Sequence, residues 1–200
     1  VEVRSMPWGC FKHKTLRLAA RQSARLGTLL LALGFGAAPR IASSADQAQW
    51  RQGVFPVLAF SGYTSFFGSR TGPWGVVEPH YGLDIAAPLG SPVRNWWGGT
   101  VSAVIADDRC GVGLQIRSGG YEHIYCHLLG STTAGLYRCG EIQIQTGQRV
   151  RTGQLIGRIG LSGRTTGPHL HWALRYGGQW LNPVWILQAM AQSRRNAPQG

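Results

Sequence analysis

His169-Leu170-His171, together with His80-Tyr81-Gly82-Leu83-Asp84 much earlier in the chain, holds the residue types of a metal centre: imidazoles and a carboxylate. Side chains two apart on a strand share a face, whereas a helix aligns residues three or four apart. His-x-His therefore predicts a strand that turns both rings the same way. One ring can bind a metal while the other faces the water bound to it. His80 and Asp84 impose a different condition. On a straight strand four residues span about 13 Å at roughly 3.3 Å per residue, yet two ligands about 2 Å from one zinc ion must lie close together. The backbone between them is expected to turn, with Gly82 as the residue that tolerates the turn. Two imidazoles and one carboxylate make three protein ligands. That is the count of a catalytic zinc with its fourth position open, whereas structural zinc closes its shell with thiolates. These residues suit hydrolysis at one zinc ion per domain.

Such a site needs a frame to hold it. In a chain of 200 residues, 44% hydrophobic content and 29 glycines suit many short strands joined by tight turns. We expect a single all-β core, an antiparallel sheet domain with the zinc site in an open groove and a short C-terminal helix. Asn182 is the expected N-cap of that helix and Pro183 its first residue, with Val184, Ile186, Leu187 and Met190 docking on the sheet. Residues 191–200 read as a frayed polar tail. A strand is expected over Tyr121 to Leu128, with Tyr121, His123, Tyr125 and His127 on one face and Glu122, Ile124 and Cys126 on the other. His123 reads as a structural histidine. Trp96 and Trp97 point oppositely on a strand, so one is expected in the core and the other has flanking the substrate as a second reading, with core the first choice for either. No internal repeat or low-complexity tract is visible.

Residues 1–45 have a different character. Arg4, Lys12, Lys14, Arg17, Arg21 and Arg25 precede an apolar run, Leu26 to Ala38, too short for a membrane-spanning helix of about 20 residues. Small residues follow, ending Ala42-Ser43-Ser44-Ala45. This is the layout of a secretory signal peptide, with cleavage expected after Ala45 and Ala38 as second choice. A short uncleaved amphipathic anchor is the other reading. The formal charge of +12 divides evenly: residues 1–45 hold seven Lys and Arg against one Glu, the remainder thirteen Arg against seven Asp and Glu. A basic exported domain suits polyanions such as cell-wall polymers or anionic lipids, and export argues against nucleic acid.

The flanks of the two motifs carry a family resemblance. Phe55-Pro56, Thr64 to Arg70 (TSFFGSR), His80 to Pro88 (HYGLDIAAP), Tyr125-Cys126-His127-Leu128, Thr146-Gly147-Gln148 with Thr152 to Gly157 (TGQLIG), and Thr166 to His171 (TGPHLH) follow one another in the order of the lysostaphin/LytM-type zinc metalloendopeptidases. Six blocks in order are specific where any one alone is weak. The resemblance runs from about Phe55 to Pro183. It implies that His80, Asp84 and His171 hold the metal and that His127 and His169 are the catalytic histidines. His169 would orient and deprotonate the water. His127 would hydrogen-bond the attacking water or the developing oxyanion, and the division of protons between the two rings stays open. For Arg70, in the second block, lining the groove and closing a loop are equal readings.

Cys10 falls in the export segment, leaving Cys110, Cys126 and Cys139 for the domain. Relatives with a cysteine in the Tyr-x-His-Leu block often pair it with one just upstream, which implies Cys110–Cys126; spacing alone leaves Cys126–Cys139 and three free thiols open. The expected organisation is a signal peptide over 1–45, a linker over 46–54, the metalloendopeptidase domain over 55–188 and a polar tail over 189–200. The resemblance implies an exported monomer of the periplasm or cell envelope, without a transmembrane helix once matured. Its expected substrate is peptidoglycan, cut at peptide cross-links of the D-Ala to diaminopimelate type, with other envelope proteins as candidate partners. Two rivals remain. Some relatives have lost their zinc ligands and instead bind and activate cell-wall amidases, and a zinc carboxypeptidase would act on uncross-linked stems.

Overall fold

Fifteen short strands and one helix form the described part of the chain, as the glycine-rich composition predicts. The computed structural model describes residues 49–72 and 75–196, so the expected export segment lies outside the described residues. The principal sheet has eight strands. Its path runs β1 (Gly62–Ser65), β4 (Gly82–Ala86), β14 (His169–Tyr176), β8 (Tyr121–Cys126), β7 (Gly111–Ser118), β6 (Gly99–Asp107) and β12 (Arg149–Val150), with β15 (Gln179–Leu181) also paired to β14. Every pairing in it is antiparallel. A small hairpin joins β2 (Gly68–Thr71) to β3 (Val77–His80), β5 (Pro92–Arg94) pairs β13 (Leu155–Arg158), and β9 (Ser131–Thr133), β10 (Leu136–Cys139) and β11 (Ile142–Gln145) make a third small sheet.

One face of the principal sheet is the core. Leu83 and Ile85 of β4, Leu170, Trp172 and Leu174 of β14, His123 and Tyr125 of β8, and Leu114 and Ile116 of β7 are fully buried there. Alternation on each strand sends their neighbours to the opposite face, where the chemistry lies. Trp96 is fully buried, and Trp97 packs half-buried against the same cluster. His123 is the structural residue expected. Its Nε2 lies 2.8 Å from Ser118 Oγ and its Nδ1 2.8 Å from the Tyr125 hydroxyl. Burial pushes its pKa down to about 3, so it stays neutral in the core.

The helix, α1 (Pro183–Arg195), starts as the sequence predicts: the Asn182 side chain accepts from the Val184 N–H at 3.0 Å and Pro183 is the first helical residue. Ile186 and Met190 are buried, and Met190 Sδ accepts from Trp96 Nε1 at 3.2 Å. The helix runs five residues into residues 191–200, expected as a frayed tail, and Arg194 there ties back to the Gly53 carbonyl at 2.5 Å; Met190 docks as expected. The expected linker is corrected in the same way. Trp50 is buried against Trp96 and Tyr121, and the Val54 N–H donates to the Trp96 carbonyl at 2.8 Å, so residues 50–54 are packed onto the domain. Among the described residues no helix is long and apolar enough to cross a membrane.

Candidate metal centre

Cross-strand register assembles the centre. Asp84 of β4 stands directly opposite His171 of β14, Ser65 of β1 is opposite Asp84, and Cys126 of β8 is opposite His171. Residues opposite one another on neighbouring strands share a face. One row across the sheet therefore carries Ser65, Asp84, His171 and Cys126 outward, with His169 two residues along β14 on the same face. His80 arrives from outside this sheet, at the end of the β2–β3 hairpin.

The expected turn at Gly82 is replaced by a break one residue earlier. β3 ends at His80 and β4 begins at Gly82, so the chain changes sheets at Tyr81. Gly82 is a buried strand residue and is absent from the positive-φ glycines. What it supplies is space: a Cβ there would lie 2.6 Å from His171 Cε1 and 2.8 Å from Nε2. Gly82→Ala must displace the His171 ring, and we expect it to weaken metal binding at least 10-fold, the scale on which disturbed ligand supports act. Equilibrium dialysis against zinc checks this.

Three donor atoms converge. His80 Nε2 is 3.0 Å from Asp84 Oδ1 and 3.0 Å from His171 Nδ1, and His171 Nδ1 is 2.8 Å from the same Oδ1. Among the described residues these three form the grouping able to hold a metal ion. The protons do not account for the triangle. His80 Nδ1 lies 2.7 Å from the Phe66 carbonyl, which can only accept, so the proton of the neutral ring sits on Nδ1 and Nε2 presents a lone pair. That lone pair meets a carboxylate oxygen at 3.0 Å with no proton between them. A cation among the three atoms removes the repulsion. A tetrahedral ion with bonds of about 2.0–2.1 Å would space its ligands about 3.3–3.4 Å apart, so the triangle would open by about half an ångström or less to take it. The donor set fits a divalent ion of borderline softness such as zinc.

The electrostatics agree. Burial alone raises the Asp84 pKa, but the adjoining His171 and His80 rings outweigh it and hold the carboxyl well below the usual range. Burial lowers the pKa of His171 against the pull of Asp84, which favours the neutral ring and the single nitrogen lone pair that a metal ligand needs. Asp84 Oδ2 accepts from Arg70 Nη1 at 2.7 Å, which leaves Oδ1 for the triangle.

His127 and His169 face the triangle, their ring centroids 4.8 Å apart and that of His127 6.1 Å from His171. His127 corrects the face count made from sequence. It follows β8 with φ of 64°, a left-handed conformation that breaks the strand alternation and turns its ring away from His123 and Tyr125 toward the open face. Its N–H donates to the Cys110 carbonyl at 2.9 Å, and the Cys110–Cys126 disulfide ties the same two segments together, the pairing implied by the resemblance. Cys139 is free and buried.

Backbone carbonyls fix both tautomers. His127 Nδ1 donates to the Ser162 carbonyl at 2.8 Å and His169 Nδ1 to the Gly167 carbonyl at 2.9 Å, so each neutral ring keeps a lone pair on Nε2. Burial pushes the His127 pKa down to about 4, with the neighbouring histidines adding to the shift against the Ser162 hydrogen bond. His169 Nε2 lies 3.6 Å from Asp84 Oδ1.

A groove with two arms passes over these residues. His127, Arg70 and Arg164 line both arms. One arm has an apolar floor of Ile105, Ile124 and Ala173 and is walled by Tyr81, stacked on Trp180 at 5.1 Å between centroids. The other is polar, with Thr64, Ser65, Thr71, Thr165 and Thr166. Arg164 and Glu78 had no place in the sequence reading. The Glu78 carboxylate takes Arg164 at 2.5 Å and Arg70 at 3.4 Å, with Arg164 foremost in holding its pKa below the usual value. Arg164 adjoins the Thr166 to His171 block, and a charge abutting a motif was the available signal.

The pattern of peptidase family M23 matches residues 78–183, more than half of the chain. DD-carboxypeptidase/endopeptidase Mpg of Neisseria meningitidis serogroup B is 36% identical over 132 residues, 64% of this chain and 27% of that protein. Peptidoglycan DD-endopeptidase ShyA of Vibrio cholerae serotype O1 is 36% identical over 118 residues, 58% of this chain and 25% of that protein. The chain thus spans about a quarter of the length of these relatives. A zinc-containing peptidase from Vibrio cholerae superposes with a TM-score of 0.55 at 33% identity, over 68% of this chain and 38% of that one. The catalytic domain of the prophage-encoded M23 protein EnpA from Enterococcus faecalis gives 0.50 at 31%, over 64% of this chain and 95% of that one. Sequence pattern, fold and a His-Asp-His group that can hold a metal agree: the chain belongs to peptidase family M23, the metal-dependent lysostaphin/LytM-type family that its sequence blocks resemble.

Proposed function

We propose that the protein is an exported zinc endopeptidase that hydrolyses peptide cross-links of peptidoglycan, of the D-Ala to diaminopimelate type, in the periplasm or cell envelope. The observation that carries this reading is the triangle of His80, Asp84 and His171 donor atoms beneath a two-armed groove that also receives the Nε2 atoms of His127 and His169. Relatives named as peptidoglycan DD-endopeptidases support the substrate, and a zinc-containing structural neighbour supports the metal. The basic, export-type N-terminal segment of the sequence supports the location.

His80, Asp84 and His171 would hold the ion. When bound there, zinc lowers the pKa of water to about 7 and polarises a carbonyl as a Lewis acid. The chain does the rest. The two arms leave room for peptide on both sides of the scissile bond, and an open groove suits a cross-linked polymer better than a closed pocket would. The Ser162 and Gly167 carbonyls hold the Nδ1 protons of His127 and His169, so Nε2 is the atom of either neutral ring that can accept a proton. One ring takes the proton released as water adds to the carbonyl carbon and returns it to the leaving nitrogen as the C–N bond breaks. A neutral His127 cannot donate to an oxyanion until it has gained a proton, which makes its first action that of an acceptor from water.

Digestion of purified peptidoglycan tests the reading. Cross-linked dimers should convert to monomers without release of free D-Ala, and a zinc chelator should stop the reaction. Free terminal D-Ala would make the protein a carboxypeptidase. Zinc-loaded protein that leaves the wall intact while a cell-wall amidase gains activity in the same mixture would replace the enzyme with the regulator.

A further inference from the structure

Arg70 is buried deeply enough to matter and is placed by the β2–β3 hairpin, whose register sets it directly opposite Glu78 and sets Gly68 opposite His80. Its side chain is 24% exposed and that of Asp84 6%. Nη1 donates to Asp84 Oδ2 at 2.7 Å and to Ser65 Oγ at 3.1 Å, while Nη2 reaches Glu78 Oε1 at 3.4 Å. Glu78 is anchored on its other side by Arg164, at 2.6 Å and 2.5 Å to its two oxygens. The guanidinium is thus fixed in position before it touches Asp84. The two oxygens of Asp84 are thereby made different: Oδ2 faces an arginine, Oδ1 faces His80 Nε2 and His171 Nδ1. A carboxylate free of such a partner can turn and offer both oxygens to one ion.

We propose that Arg70 is a positioning residue that makes Asp84 a one-oxygen ligand and so keeps a fourth position open on the metal. The inference rests on the metal reading above and assigns to Arg70 a role beyond lining the groove. The hairpin, by delivering both His80 and Arg70, then sets the ligand and the mode of its neighbour ligand together. What the proposal needs is a cationic donor on Asp84 Oδ2; in arginine the second arm, on Glu78, holds that donor in place.

Cobalt substitution reads the coordination mode directly. Four-coordinate Co(II) absorbs visible light several times more strongly than five-coordinate Co(II), because tetrahedral symmetry relaxes the selection rule. The full chain carrying Arg70→Met should still bind one cobalt but show the weaker five-coordinate spectrum, and zinc-loaded turnover should fall 10–100-fold, the usual effect of losing such a support. Arg70→Lys retains a donor for Oδ2 and should restore the four-coordinate spectrum. An unchanged spectrum in Arg70→Met overturns the proposal. So does an Arg70→Lys spectrum as altered as that of Arg70→Met, which would assign the effect to lost packing, and so does an Arg70→Met protein that binds no cobalt at saturating metal. Wild-type protein that takes up neither cobalt nor zinc fails at an earlier point and overturns the metal reading itself.

Discussion

Alanine at His80, Asp84 or His171 is expected to empty the metal centre and abolish hydrolysis. Three protein donors are the minimum of a catalytic zinc site, and each of these residues supplies one corner of a triangle whose sides are 2.8–3.0 Å. Two remaining donors cannot enforce tetrahedral geometry. Elemental analysis should fall from about one zinc per chain to background in each variant, and activity should fall with it. Asp84→Ala carries a second consequence, because it strands Arg70 against a mostly buried site; breaking such a pair costs on the order of 3–5 kcal/mol. Asp84→Asn retains the shape and separates loss of metal from loss of fold. Zinc retained in full by any of the alanine variants would show that the assigned residue is no ligand.

The second large effect concerns turnover without metal loss. His127→Ala and His169→Ala remove Nε2 acceptors whose tautomers the Ser162 and Gly167 carbonyls fix, yet neither ring is part of the donor triangle. Turnover should drop by about 100-fold or more, the scale of general acid–base and oxyanion contributions, with zinc content unchanged. The double variant should lose less than the product of the two single losses if the rings pass one proton between water and leaving group. A His169→Ala protein that loses its zinc would make His169 a ligand and overturn the assignment.

Periodicity made part of this site legible in sequence. His169 and His171 share a strand face because the side-chain period is two, and the structure places both on β14. The order of the blocks carried the rest of the proposed ligand set, since nothing local reveals that Asp84 will stand opposite His171 across two strands. Single backbone angles defeated the reading at His127: a positive φ on a histidine has no sequence signature, so the ring went to the wrong face of β8. Gly82 was singled out for the wrong reason, because a close approach by a ring from another strand is a tertiary fact. The carbonyls of Phe66, Ser162 and Gly167 that set three tautomers belong to the backbone and could come from any residue type. At Trp50 the short segment before the domain read as a linker, while its one large aromatic side chain docks on Trp96; Met190 docks as expected.

A purified muropeptide dimer joined by one D-Ala to diaminopimelate bond is the most direct substrate for testing the central claim. Incubated with the zinc-loaded protein and followed by mass spectrometry, it should yield two monomers whose summed mass exceeds the dimer by one water. Chelation should halt the conversion and restored zinc should revive it. An intact dimer after prolonged incubation with fully zinc-loaded protein would contradict the account.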